Sequence, residues 1–138
     1  MRAFYWIQAG RTAPGLGERV ASFCTAMESL FATSSSELAH QLAERMALFL
    51  SDEPDDRLRI YRQVKKAYGL RSKVVHGDVL RQSKVAELLE SSLACDDLLR
   101  QAFQKAVADN EARNALAGGN EDLDRYFLGL IFAQVPKE

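Results

Sequence analysis

Cysteine and histidine are scarce: two of each, Cys24, Cys95, His40 and His76, in 138 residues. No Cys/His spacing suited to a zinc-type site can be built from them, so neither a metal site nor a cofactor is expected. Both cysteines sit inside apolar helical patterns. A single disulfide is one reading, and two buried free thiols in a reducing cytoplasm is the favoured one. Long apolar runs are missing as well. None approaches the roughly 20 residues of a membrane helix, and the opening MRAFYWIQAGR leads into no signal-peptide core. No membrane partner and a cytoplasmic location are therefore expected. Proline and glycine are few, three and eight, and fall mostly between apolar periodic segments. Strand-like alternation of any length is absent. The 47% hydrophobic and 27% charged fractions exclude a disordered chain.

What is present is helical periodicity, over a length that suits one domain. Leu16, Val20, Phe23, Cys24, Met27, Leu30 and Phe31 form one stripe. Ser34 with Glu37 has the spacing of a capping box for a second helix, whose inner face is Leu38, Leu42, Met46, Phe49 and Leu50. Pro54, with acids around it, suits the first turn of a third helix that turns Leu58, Ile60, Tyr61, Val64, Ala67 and Tyr68 inward. Gly69 is expected to kink or break that helix, and Gly77 to stop it. A fourth helix is expected from about 83 to 110, with Val85, Leu88, Leu89, Cys95, Leu99, Phe103 and Val107 facing the core. Gly118-Gly119 reads as a hinge, and Asn120 as the cap of a last helix carrying Leu123, Tyr126, Phe127, Leu130 and Ile131. The fold expected is all-α, an up-and-down bundle of about five helices over residues 15–135. Residues 1–14 break the pattern. Phe4, Tyr5, Trp6 and Ile7 form an aromatic, strand-like patch, read as an extended segment that either packs across the bundle or is the stump of a preceding domain.

The net charge of -1 hides an asymmetry. Residues 57–84 hold nine Lys and Arg against the single acid Asp78, a net of +8, which leaves -9 for the remainder. Two readings stay open: a face for nucleic acid, or a solvated basic face that pairs with acidic helices. Within this stretch lies Tyr68-Gly-Leu-Arg-Ser-Lys-Val-Val-His-Gly77. Arg71 follows Ile60 and Val64 at helical spacing, so an unbroken helix puts it on the apolar stripe, where a guanidinium needs a partner. His76 comes about 140° further round an ideal helix. An arginine that clamps phosphate and a histidine that moves a proton near neutral pH together suit phosphodiester chemistry. Against this stand a structural ion pair for Arg71 and a helix C-cap for His76. No carboxylate pair, Ser-His-Asp order or glycine-rich phosphate loop competes. His40, beside Gln41 and Glu44, reads as merely exposed.

RSKVVHG resembles the Arg-polar-x3-His motif of HEPN domains, in particular the Apea-like HEPN group, where an Arg-Ser-x3-His-Gly segment follows a tyrosine. Glu18-Arg19 through Ala26-Met27-Glu28-Ser29-Leu30-Phe31 is similar to that group's first helix, and Leu42-Ala43-Glu44-Arg45-Met46-Ala47 to its second. Ile60-Tyr61 to Tyr68 matches the run before the motif. The resemblance covers about residues 16–80, and 81–135 only as a helical pattern. It implies a helical bundle that dimerises and sets two motifs across a shared cleft. It further implies a metal-independent RNA endonuclease of phage defence or toxin–antitoxin systems. Arg71 would stabilise the transition-state phosphate, His76 act as general acid or base, and Ser72 orient one of them. Arg62, Lys65, Lys66 and Lys73 would hold the RNA. The implied partners are RNA, a second copy of the chain, and an antitoxin or fused N-terminal domain. Other HEPN domains are non-catalytic RNA-binding or dimerisation modules of larger defence proteins, which is the alternative.

Overall fold

The computed structural model describes residues 2–75 and 82–132, and these form seven helices and no strand. They are α1 (Arg2–Thr12), α2 (Leu16–Phe31), α3 (Leu38–Leu50), α4 (Pro54–Val75), α5 (Gln82–Ala108), α6 (Asn110–Ala117) and α7 (Asn120–Phe132). The all-helical expectation holds, while the expected five helices gain two. Among the described residues, no helix is long and apolar enough to cross a membrane.

The bundle is built around α2, which packs against α1, α3, α4 and α5. Its stripe of Val20, Phe23, Cys24, Met27, Leu30 and Phe31 is buried along its whole length. Each large side chain buried there contributes about 1.5–3 kcal/mol of transfer free energy. Next to it, Phe31, Phe49 and Phe127 draw α2, α3 and α7 together, with ring centroids 5.3 Å apart for Phe31–Phe49 and 5.7 Å for Phe31–Phe127. Arg45 of α3 locks this corner. It donates to the Phe31 carbonyl at 2.7 Å and to Asp124 Oδ1 at 2.6 Å, and its guanidinium lies 5.0 Å from the centre of the Phe127 ring. Thr33 donates to the same Asp124 oxygen at 2.7 Å.

The expectation of an extended segment at the N-terminus is overturned. Residues 2–12 are helical, and Ala3, Ile7 and Gly10 recur at helical spacing on the side facing α2. Two of those three residues are small, so the stripe is faint in sequence, and the adjacent Phe4-Tyr5-Trp6-Ile7 run masks it. Gly10 allows the close approach: a Cβ there would stand 2.6 Å from Phe23 Cε1. Arg11 then ties the end of α1 to Asp96 of α5 at 2.8 Å. Residues 2–12 thus share the core of the rest.

Other local expectations are corrected too. The capping box does not form. Ser34 accepts from the Ser36 amide at 3.1 Å instead, and Glu37 itself precedes α3 in the left-handed region at φ 48°. Pro54 does open α4, and its neighbour Glu53 accepts from the amides of Asp55 and Asp56 at 3.1 and 2.8 Å. Gly69 does not end α4, which runs on to Val75. A glycine in a helix interior costs about 1 kcal/mol, which burial of Val64, Ala67 and Leu70 on the same helix outweighs. Leu58 is exposed, because Ile60, Val64 and Ala67 define the inner face and Leu58 lies off it.

On α5 the inner face is Leu88, Cys95, Leu98, Leu99 and Ala102, whereas Val85, Leu89 and Val107 point to solvent. The expected fourth helix ends early, at Ala108, because Asp109 accepts from the amides of Glu111 and Ala112 and starts α6. Asn120 is the first residue of α7 rather than its cap, and Asp122 reaches back to the Gly119 amide at 3.3 Å. On that helix Leu123 and Phe127 are buried, while Ile131 is exposed. Cys24 and Cys95 are buried free thiols. Burial pushes both upward, Cys95 to about 12, so neither supplies thiolate near neutral pH.

Candidate functional site

Because α4 runs unbroken through Gly69, Arg71 stands where the spacing puts it, at the edge of the stripe that faces α2. Its partner comes from α2. Arg71 Nη1 donates to Glu28 Oε1 at 2.5 Å, with about 29% of the arginine and 27% of the glutamate side chain exposed. Tyr68, one turn earlier, lies under the guanidinium at 5.7 Å. Its hydroxyl proton is shared between the Cys24 carbonyl at 3.0 Å and Glu28 Oε1 at 3.1 Å. Burial, with Cys24 and Glu28 next to it, pushes the Tyr68 hydroxyl far above the ordinary phenol range, so it acts only as a donor. For Arg71, burial pulls downward, but the hydrogen bond and charge of Glu28 overcome it, and the guanidinium is held above its usual value.

Arginine carries five N–H donors. Among the described residues, only one of the two on Nη1 has a hydrogen-bond partner, which leaves donors for a second anion. Ser72 is exposed beside it. His76, the other half of the motif, lies outside the described residues.

The basic face of α4 is partly matched by acids. Arg59 pairs with Asp56 at 2.6 Å, and Arg57 donates to the Ser51 carbonyl at 2.6 Å. On α5, Lys84 pairs with Glu87 at 3.0 Å, and that bond holds Glu87 below the usual carboxylate range. Lys66 and Lys73 add to the same effect. Lys84, Lys66 and Lys73 all act on Glu87, while Arg62 and Lys65 face solvent. Among the described residues, neither Arg62 nor Lys65 has an acid within ion-pair distance.

Glu28 also lines a cleft of about 580 Å³ between α1 and α2, together with Arg2, Tyr5, Trp6, Thr25 and Ser29. Tyr5 and Trp6 meet edge to face at 5.2 Å and form an aromatic corner above α2. His40, half exposed as expected, bonds Tyr61 Oη through Nδ1 at 2.9 Å and faces Glu44 at 3.4 Å.

Glu28 and Tyr68 are the members that sequence reasoning did not assign. A signal for Glu28 existed: it follows Cys24 by one helical turn, so an acid sits at the border of the most apolar stripe in the chain. An acid at one apolar border and a base at another are natural partners. No family model, no curated protein and no solved structure matches this chain.

Proposed function

We propose that this chain is a metal-independent RNA endonuclease of the HEPN type, acting as a homodimer in phage defence or in a toxin–antitoxin pair. The observation that carries the proposal is Arg71. Its guanidinium is held at a part-exposed position by Glu28, keeps donors unspent among the described residues, and lies on the same helix as the solvent-facing Arg62 and Lys65. A bidentate guanidinium suits the charge that builds on a phosphorane. In this mechanism Arg71 binds that charge, His76 moves the proton, and Ser72 orients one of the two. Attack by the adjacent RNA 2′-OH on phosphorus breaks the bond to the 5′ oxygen and leaves a cyclic phosphate.

Purified protein is expected to cleave single-stranded RNA in the presence of EDTA. His76→Ala is expected to abolish cleavage with an unchanged melting temperature. Cleavage that survives His76→Ala counts against the mechanism.

A second reading is favoured by one observation: the Arg71–Glu28 ion pair is a sufficient structural reason for Arg71. In that case the domain is a non-catalytic RNA-binding or dimerisation module. RNA is then retained but not cut, in a salt-sensitive way. Arg62→Glu and Lys65→Glu each lower the salt slope by about one phosphate contact.

A further inference from the structure

We infer that the cleft between α1 and α2 is a nucleobase subsite selective for guanine. The inference takes its ligand class from the RNA reading above, but neither its geometry nor its test requires cleavage.

On the α2 side the cleft is lined by Thr25, Glu28 and Ser29, and the hydrogen bonds these side chains make within the bundle shape what they offer a ligand. Thr25 Oγ1 donates its proton to the Ala21 carbonyl at 3.0 Å, and Ser29 Oγ donates to the Thr25 carbonyl at 3.1 Å. With those protons engaged, both hydroxyls offer lone pairs to a ligand. Glu28 spends Oε1 on Arg71 and Tyr68. Among the described residues its Oε2 receives no hydrogen bond, so it too is an acceptor. A lining of acceptors on this side selects a ligand edge made of donors. Of the four RNA bases, guanine alone presents two adjacent N–H donors on its Watson–Crick edge, at N1 and N2. Adenine and cytosine each offer one amino group, and uracil a single N–H.

The wall supplies the second requirement. Tyr5 is about 65% exposed and stands edge-on to the half-buried Trp6, leaving ring surface on which a base can stack. The volume of about 580 Å³ lies in the range of clefts that hold small ligands. Arg2, exposed at the same cleft, suits the phosphate that accompanies the base.

Guanine can arrive as a free nucleotide or within a single-stranded RNA, and the two are separable by experiment. Trp6 is the only tryptophan in the chain, so its fluorescence reports directly on this cleft. The full chain is titrated with GMP, AMP, CMP and UMP, and in parallel with uridine oligonucleotides that contain or lack one guanosine. Saturable quenching by guanine is expected, about tenfold tighter than for any other base, on the discrimination that a pair of well-placed hydrogen bonds provides. Saturation by GMP identifies a nucleotide site. Saturation only by the guanosine-containing oligonucleotide identifies a site for the polymer, and either result supports the assignment.

Tyr5→Ala, at an exposed position, is expected to weaken guanine binding about tenfold through lost stacking. Thr25→Val, which removes one of these acceptors at nearly constant volume, is expected to narrow the preference for guanine over adenine. Circular dichroism melts verify that both variants fold. Equal quenching by all four bases, or no saturation by any of them, overturns the inference even if the protein proves to be a nuclease. Guanine-selective quenching in a protein that cuts no RNA overturns the nuclease proposal and leaves the subsite standing.

Discussion

Glu28→Gln tests whether the Arg71 cluster is held by charge or merely by shape. The substitution keeps the volume and one acceptor oxygen but removes the negative charge from a 2.5 Å contact. With 29% and 27% of the two side chains exposed, the pair lies between two known regimes. Fully exposed ion pairs are worth about 0.2–1 kcal/mol, and breaking a fully buried pair costs about 3–5 kcal/mol. A hydrogen bond between charged groups contributes about 1.5–3 kcal/mol before solvent screening. The remaining solvent contact reduces this, so Glu28→Gln is expected to cost about 1–2 kcal/mol. For a domain of this size that corresponds to a fall in Tm of about 3–5 °C for each kcal/mol.

The pairwise part is isolated by a double-mutant cycle with Arg71→Met, followed by urea unfolding at fixed pH and ionic strength. A coupling energy of about 1 kcal/mol is expected, shrinking only slightly between low and high salt because the pair is partly shielded. A coupling near zero, or one that disappears in moderate salt, refutes the view that Glu28 orders the guanidinium. Arg71 would then be an ordinary surface arginine without a fixed geometry for phosphate.

Asp124, held below the usual carboxylate range by its bonds from Arg45 and Thr33, contributes stability that is complete above its unfolded value of about 4 and is lost as the pH falls through the lower folded value. Asp124→Asn is therefore expected to flatten the loss of Tm between pH 5 and pH 2, and an unchanged acid slope in melts across that window counts against the latch. Gly69→Ala adds a Cβ into open space on α4 and is expected to stabilise by about 0.5–1 kcal/mol. Gly10→Ala places its Cβ against Phe23 and is expected to destabilise by about 1–3 kcal/mol, so equal and like-signed shifts in the two melts contradict the packing described for α1.

The elements legible in the sequence are those whose stripe is made of large residues. On α2, the apolar positions Val20 to Phe31 all prove buried, because six large or sulfur-bearing side chains on one face leave no competing register. On α5, two candidate stripes run side by side: Leu88, Cys95 and Leu99 face inward, while Val85, Leu89 and Leu93 do not. Composition does not separate them, and the helices packed against α5, chiefly α2 and α4, decide. The start of α6 is set by Asp109, which caps Asn110-Glu111, but apolar spacing that continues to Val107 conceals the break in sequence. For the site, the need of Arg71 for a partner followed from its own spacing. The partner itself, 43 positions away on another helix, depends on which faces of α2 and α4 meet, and that is a tertiary fact.

The same geometry links stability to the site. The aromatic corner of Tyr5 and Trp6 stands over Thr25, Glu28 and Ser29 because Gly10 lets α1 approach α2 at the level of Phe23. The distance between the two helices is thus set one turn beyond the cleft, by contacts within the apolar core. A methyl group at position 10 is expected to lift α1 away from α2 while Arg71, anchored on Glu28 from the α4 side, keeps its place. Gly10→Ala should consequently shift the Trp6 emission toward that of a more solvated indole while leaving the Glu28–Arg71 coupling energy intact. Loss of both together would mean that α1 is required to hold Glu28 in position, and that the cleft and the ion pair are a single structural unit.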